Sequence, residues 1–109
     1  MALSHAGSGE PINLQPLGAG LASAKTAALF KSEDLELMRL VLLAGKSLPP
    51  HKVSGEITVQ CIEGKIDVTA QGKSHVLVGG QLLFLAAGVT HGVVALEDSS
   101  ALISIVLKK

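Results

Sequence analysis

Residues 45–64 read GKSLPPHKVSGEITVQCIEG, and this stretch decides the fold. Leu48-Pro49-Pro50 halts the apolar run before it, because proline lacks an amide donor and fixes φ. His51 follows at once. Ser54-Gly55 is a turn signal, and from Ile57 the residues alternate. Ile57, Val59 and Cys61 fall on one face, and Thr58, Gln60 and Ile62 on the other. Glu63-Gly64-Lys65 then turns the chain. The stretch is a strand between two turns, with a histidine at its approach.

Towards the N-terminus, Ser32-Glu33-Asp34 is a turn and Leu35 to Ala44 (LELMRLVLLA) is the first long strand. Leu35, Leu37 and Val41 share a face with Arg39, while Met38, Leu40 and Leu42 line the other. Both faces are largely apolar, as in a sandwich strand covered on both sides. A ten-residue buried helix competes, but the β-rich sequel and Gly45 decide against it. Towards the C-terminus come Lys65–Ala70, the turn Gln71-Gly72-Lys73 and Ser74–Val78, a hairpin with a glycine-bearing loop. Gly79-Gly80 leads to Gln81–Leu85, and Ala86-Ala87-Gly88 to Val89-Thr90-His91. Val93–Leu96 is a short strand, Glu97-Asp98-Ser99-Ser100 a polar turn, and Ala101–Leu107 the last strand. Such strand spacing predicts an all-β sandwich or small barrel, with no helix of consequence after residue 31.

The first residues are of another kind. Met1–Pro11 is rich in Gly, Ser and Ala and reads as a mobile tail that holds a solvated His5. Ile12–Leu21 (INLQPLGAGL) reads as a short edge strand or an extended arm. Ala22–Phe30 reads as a helical turn or as a strand through Ala27–Phe30. Residues 1–24 are therefore expected to form a tail or arm, and residues 25–109 one barrel domain.

At 109 residues the chain is long enough to bury a core. Its hydrophobic share of 48% and mean hydropathy of +0.49 leave an apolar surplus, and no run approaches a membrane span. A small domain with both sheet faces covered, or a subunit interface, is the expected home for that surplus, and the chain is expected to pair with itself. The formal net charge is zero and Arg39 is the single arginine, which argues against nucleic acid or a membrane as partner. Cys61 is the sole cysteine, so an internal disulfide and a cysteine-based metal cluster are excluded. The N-terminus shows no basic flank and no apolar core of a signal peptide, and a cytoplasmic location is expected.

The order of glycines and histidines is specific. Gly45, five residues, then His51, with Ile57, six residues, then Gly64, forms one half; Gly80, five residues, Ala86, then Gly88, two residues, His91 forms the other. Over about residues 35–107 the sequence resembles the cupin superfamily, closest to its small single-domain members of unknown function. The resemblance implies a double-stranded β-helix, or jelly-roll barrel, and pairing through N-terminal strands. In metal-binding cupins the motif histidines and glutamate hold iron, manganese, zinc or another divalent ion such as nickel. His51 and His91 match the first and last of these ligands. The second histidine position is Val53, the glutamate position Ile57, the motif proline Ala86 and the closing asparagine Ala95. Half of the ligand set is gone.

Strand parity points Glu56 away from the barrel axis, unless a bulge at Ser54-Gly55 re-aims it as a third ligand. Cys61 reads as a buried small hydrophobe, Gln60 has the wrong parity, and His75 reads as a surface or strand-edge residue. His51 and His91 are expected to share a pocket at the barrel mouth, where imidazoles could bind an anion, a carboxylate ligand or a weak metal. The expected function is binding of a small, mostly apolar molecule, with His51 and His91 orienting one polar group against walls such as Val53, Ile57, Val59 and Phe84, and with no cofactor. The alternative is a metal-dependent oxygenase or isomerase using His51, His91 and Glu56. A non-catalytic scaffold or sensory module acting through its dimer surface is the third reading.

Overall fold

The computed structural model describes residues 5–107, and in that span one short 3-10 turn, Gly18–Ser23, precedes nine strands. Met1–Ser4 of the expected tail and Lys108-Lys109 lie outside the described residues. The strands are β1 (Ala27–Lys31), β2 (Leu35–Leu42), β3 (Ser47–His51), β4 (Ile57–Glu63), β5 (Lys65–Ala70), β6 (Lys73–Val78), β7 (Leu82–Leu85), β8 (His91–Ala95) and β9 (Ser99–Val106). They form two antiparallel sheets, in the orders β1-β2-β9-β4-β7 and β3-β8-β5-β6. The last strand is inserted between β2 and β4, pairing from Leu35↔Val106 to Leu42↔Ser99 on one side and from Ile57↔Ile105 to Glu63↔Ser100 on the other. Non-local pairing of this kind wraps the chain into a barrel-like sandwich.

The alternation in the central stretch sets the core. Ile57, Val59 and Cys61 of β4 are buried, and they meet Ile66 and Val68 of β5, Val93 of β8 and Ala101 and Ile103 of β9. Each fully buried Val or Ile contributes about 1.5–3 kcal/mol relative to an exposed one. The Cys61 thiol belongs to this core and has no exposed surface. Burial pushes its pKa up, against the opposing hydrogen bond to the Glu63 carbonyl at 3.5 Å, so it behaves as a small apolar side chain.

On β2, Leu40 is buried in the core, and Met38 and Leu42 pack against it. The opposite face, with Arg39, is covered in part by the N-terminal arm. The Arg39 guanidinium donates to the Gln15 carbonyl at 3.0 Å. The Glu63 carboxylate accepts from the amides of Leu17 at 2.9 Å and Gly18 at 3.1 Å and from the Ser100 hydroxyl. Desolvation works against the charged form of Glu63. The Leu17 amide, Ser100, the Gly18 amide and Arg39 together outweigh it and hold the carboxyl below its usual value of 4.5. The ionised carboxylate is thus the form that holds the arm. Its stabilisation is present above pH 4.5 and is lost as pH falls through the lowered folded value. Glu63→Gln should cost about 1–3 kcal/mol, flatten the acid side of the stability profile and speed hydrogen exchange at the Leu17 and Gly18 amides. Unchanged exchange at both would contradict this account of the arm.

Several local expectations differ from what forms. No strand occurs in Ile12–Leu21; Gly18 begins a 3-10 turn at φ 56°, a conformation that favours glycine. Between helical turn and strand at Ala27–Phe30, the strand prevails, because Ala27 and Phe30 find partners in Arg39 and Leu37. β2 stops at Leu42 rather than Ala44, since the Ala44 amide is taken by the Asp98 carboxylate at 2.8 Å. Pro49 and Pro50 lie inside β3. That strand is at a sheet edge and its register shifts between Leu48 and His51, so the missing amides cost no ladder bonds. The expected polar turn at Glu97–Ser100 is shorter. Ser99 and Ser100 open β9 and are buried. The Ser99 hydroxyl accepts from the Lys65 amide at 3.0 Å and donates to the Glu97 carbonyl at 2.7 Å, replacing the water it loses.

Candidate functional site at the barrel mouth

His51 ends β3, His91 opens β8, and antiparallel pairing sets the two opposite each other. Their ring centroids are 4.6 Å apart with planes tilted by 51°. His91 is 3% exposed, whereas His51 is exposed. Each ring is tied back to the carbonyl two residues earlier. His51 Nδ1 is 3.2 Å from the Pro49 oxygen, and His91 Nδ1 is 3.1 Å from the Val89 oxygen. A carbonyl oxygen only accepts, so each bond assigns the proton to Nδ1. In the neutral ring, Nε2 is then a bare lone pair.

Below the imidazoles is a cavity of about 250 Å³. His51, Ile57, Val59 and His91 line it, as do Met38, Leu40 and Leu42 on the inner face of β2, Leu48, Val93, and Ile103 and Ile105 of β9. Thr26 also reaches it. Its hydroxyl accepts from the Val41 amide at 2.9 Å and donates to the Val41 carbonyl at 3.3 Å, so its proton is already taken. A larger concavity of about 550 Å³ lies between arm residues 6–12 and Phe30–Ser32, and contains none of the residues singled out at the barrel mouth.

Of the expected walls, Ile57 and Val59 meet the histidines, while Val53 and Phe84 do not line the cavity. Val53 is half-buried against the core, and its carbonyl accepts from the Gly88 amide at 3.0 Å. Phe84 is 53% exposed because it pairs with Thr58, on the outward parity of β4. Glu56 is exposed outside the cavity, and its carbonyl accepts from the Val106 amide at 2.9 Å. Among the described residues, no three His, Cys, Asp or Glu side chains are grouped to hold a metal ion. His75 is bound to the Val68 carbonyl at 3.0 Å, and His5 is exposed on the arm. Sequence reasoning left out the walls from β2 and β9. Their signal was the even-numbered face Met38-Leu40-Leu42, whose role follows only once β9 is known to pair with β2.

No family profile matches the chain, and no curated protein matches its sequence. Solved structures do match the arrangement of its sheets. A conserved protein of unknown function from Streptococcus pyogenes superposes with a TM-score of 0.77 at 20% identity, over 100% of this chain and 99% of that one. A cupin superfamily protein from Desulfitobacterium hafniense gives 0.76 at 15% identity, covering 89% and 94%. An RmlC-like cupin from Desulfovibrio desulfuricans gives 0.69 at 25% identity, covering 74% and 79%. The fold is that of the cupin superfamily. In this chain the mouth holds two imidazoles, with aliphatic Ile57 beside them and Val53 outside the cavity. That donor set does not fit a catalytic zinc or non-haem iron centre, which takes three protein ligands. Among the described residues, no helix is long and apolar enough to cross a membrane.

Proposed function

We propose that this cupin binds a small, mostly apolar molecule in its barrel, with His51 and His91 orienting the molecule's polar group. One observation carries the reading: an aliphatic cavity of about 250 Å³ with two imidazoles at its mouth. That volume is below the roughly 300–1,000 Å³ of drug-sized sites, so the ligand is correspondingly small. A thermal-shift screen of compact apolar compounds tests it. Ligand at one hundred times Kd adds about 2.7 kcal/mol, which raises Tm on the order of 10 °C in a domain of this size. Val93→Phe, which fills the cavity from β8, should abolish the shift. A screen without stabilising compounds, or a shift that survives Val93→Phe, would contradict the proposal.

The competing reading is a metal-dependent oxygenase or isomerase, and one feature favours it. Ring nitrogens tied to carbonyls are also how ligating histidines are oriented. Against it, Glu56 is outside the cavity and Ile57 places methyl groups where a carboxylate would be needed. A buried divalent ion with no carboxylate would remain uncompensated in an apolar site.

The same proposal includes a homodimer. Leu82 and Phe84 are 56% and 53% exposed on the outer face of the larger sheet, and Val106 is also exposed there. Burying them against a second copy would also accommodate the apolar surplus of the sequence. Obligate interfaces bury about 2,000 Å² or more. Sedimentation should show a dimer at micromolar concentration, weakened by deletion of residues 1–24; a monomer there would contradict it.

A further inference from the structure

The hydrogen bonds at the barrel mouth restrict what kind of polar group the ligand can bring. Both imidazoles spend their Nδ1 protons on backbone carbonyls, Pro49 for His51 and Val89 for His91. Thr26 spends its hydroxyl on Val41. With neutral rings, the side chains of the cavity then offer acceptors and no free donor. No lysine, arginine or carboxylate lines it. A carboxylate ligand would set its own lone pairs against those of Nε2, with no cation to compensate its charge. An ammonium group would enter an aliphatic chamber with no counter-charge. A ketone or ether brings no proton to either Nε2.

We infer that the ligand is an uncharged hydrogen-bond donor on a small aliphatic body, a primary carboxamide or an alcohol, read by the Nε2 atoms of His51 and His91. A hydroxyl serves one ring. A carboxamide nitrogen carries two protons, one for each ring of a pair whose centroids are 4.6 Å apart. Its carbonyl points outward, where exposed His51 leaves the mouth open to water. The inference rests on the binding role proposed above, and it adds the chemical class of the ligand.

Four six-carbon probes at pH 8 separate the two claims: hexanamide, hexan-1-ol, hexan-2-one and hexanoate. Dissociation constants are measured by calorimetry, and the imidazole nitrogens are followed by 15N NMR. Hexanamide and hexan-1-ol should bind about tenfold or more tightly than hexan-2-one and hexanoate, because only the former pair bring a proton to the Nε2 lone pairs. The Nε2 resonances should move on binding while Nδ1 keeps its proton. In His51→Phe and His91→Phe the preference should collapse, with hexan-2-one still bound. Tightest binding by hexanoate overturns the inference and makes the site an anion receptor. Equal binding of all four, or unmoved Nε2 resonances, also overturns it while leaving the apolar barrel intact. If none of the four binds, both the inference and the binding role fail.

Discussion

Replacing Gly64 with alanine should destabilise the protein by about 3–5 kcal/mol, a large part of the roughly 5–15 kcal/mol that holds a domain of this kind together. Two costs act together. Gly64 sits at φ 85°, where a Cβ costs about 1–2 kcal/mol. An added Cβ would also lie 2.2 Å from the Asp98 carbonyl oxygen and 2.8 Å from the Ser99 Cα, both of them backbone atoms that cannot turn aside. Those atoms belong to the turn that feeds β9 between β2 and β4, so relief of the clash would disturb the central ladder. Gly72 provides the comparison. Its φ is 74° but nothing lies within 4 Å, so Gly72→Ala should cost only the conformational part, about 1–2 kcal/mol. Urea midpoints of the two variants decide the matter. Equal losses would mean that the Gly64–Asp98 approach does not constrain the fold.

Ile57→Glu should convert the barrel mouth into a metal site. Ile57 is 3% exposed and lines the cavity with His51 and His91, so a carboxylate there joins two imidazoles whose Nδ1 protons are already directed away. Without metal the variant should be destabilised by about 3 kcal/mol or more, since an isolated carboxylate is buried among methyl groups. Zinc, manganese or nickel should restore much of that loss, because the ion supplies the missing charge and two histidines plus a carboxylate complete a three-ligand set. The parent protein should show no such metal-dependent rise in Tm. Comparable stabilisation of parent and variant would show that Ile57 is not what keeps metal out.

The strand content of this fold was legible because its turns are written in glycine. Gly64, Gly72, Gly80 and Gly88 all adopt positive φ, and each falls where a turn was expected. The alternation of Ile57, Val59 and Cys61 likewise survives as the buried face of β4. Arm contacts were not legible. Glu63 reads as a turn residue in sequence, and only the return of Leu17 and Gly18 across 46 and 45 residues gives its carboxylate partners. Ser99 and Ser100 were missed for a related reason. Their burial depends on backbone partners brought from Lys65 and a carboxylate brought from Glu63. At the site, the histidine pair followed from the motif spacing, but Phe84 fails as a wall because its parity is set by pairing with Thr58, which composition does not reveal.

We propose that the two histidines face an organic ligand rather than a coordinated metal. The most direct measurement is anomalous scattering from crystals of protein purified without chelator, collected above the absorption edges of the first-row metals and zinc. The account predicts no anomalous peak between His51 and His91, with density there only for water or a small organic molecule. A strong peak about 2.0–2.1 Å from the Nε2 atoms of both rings, the distance of a metal–imidazole bond, would contradict it.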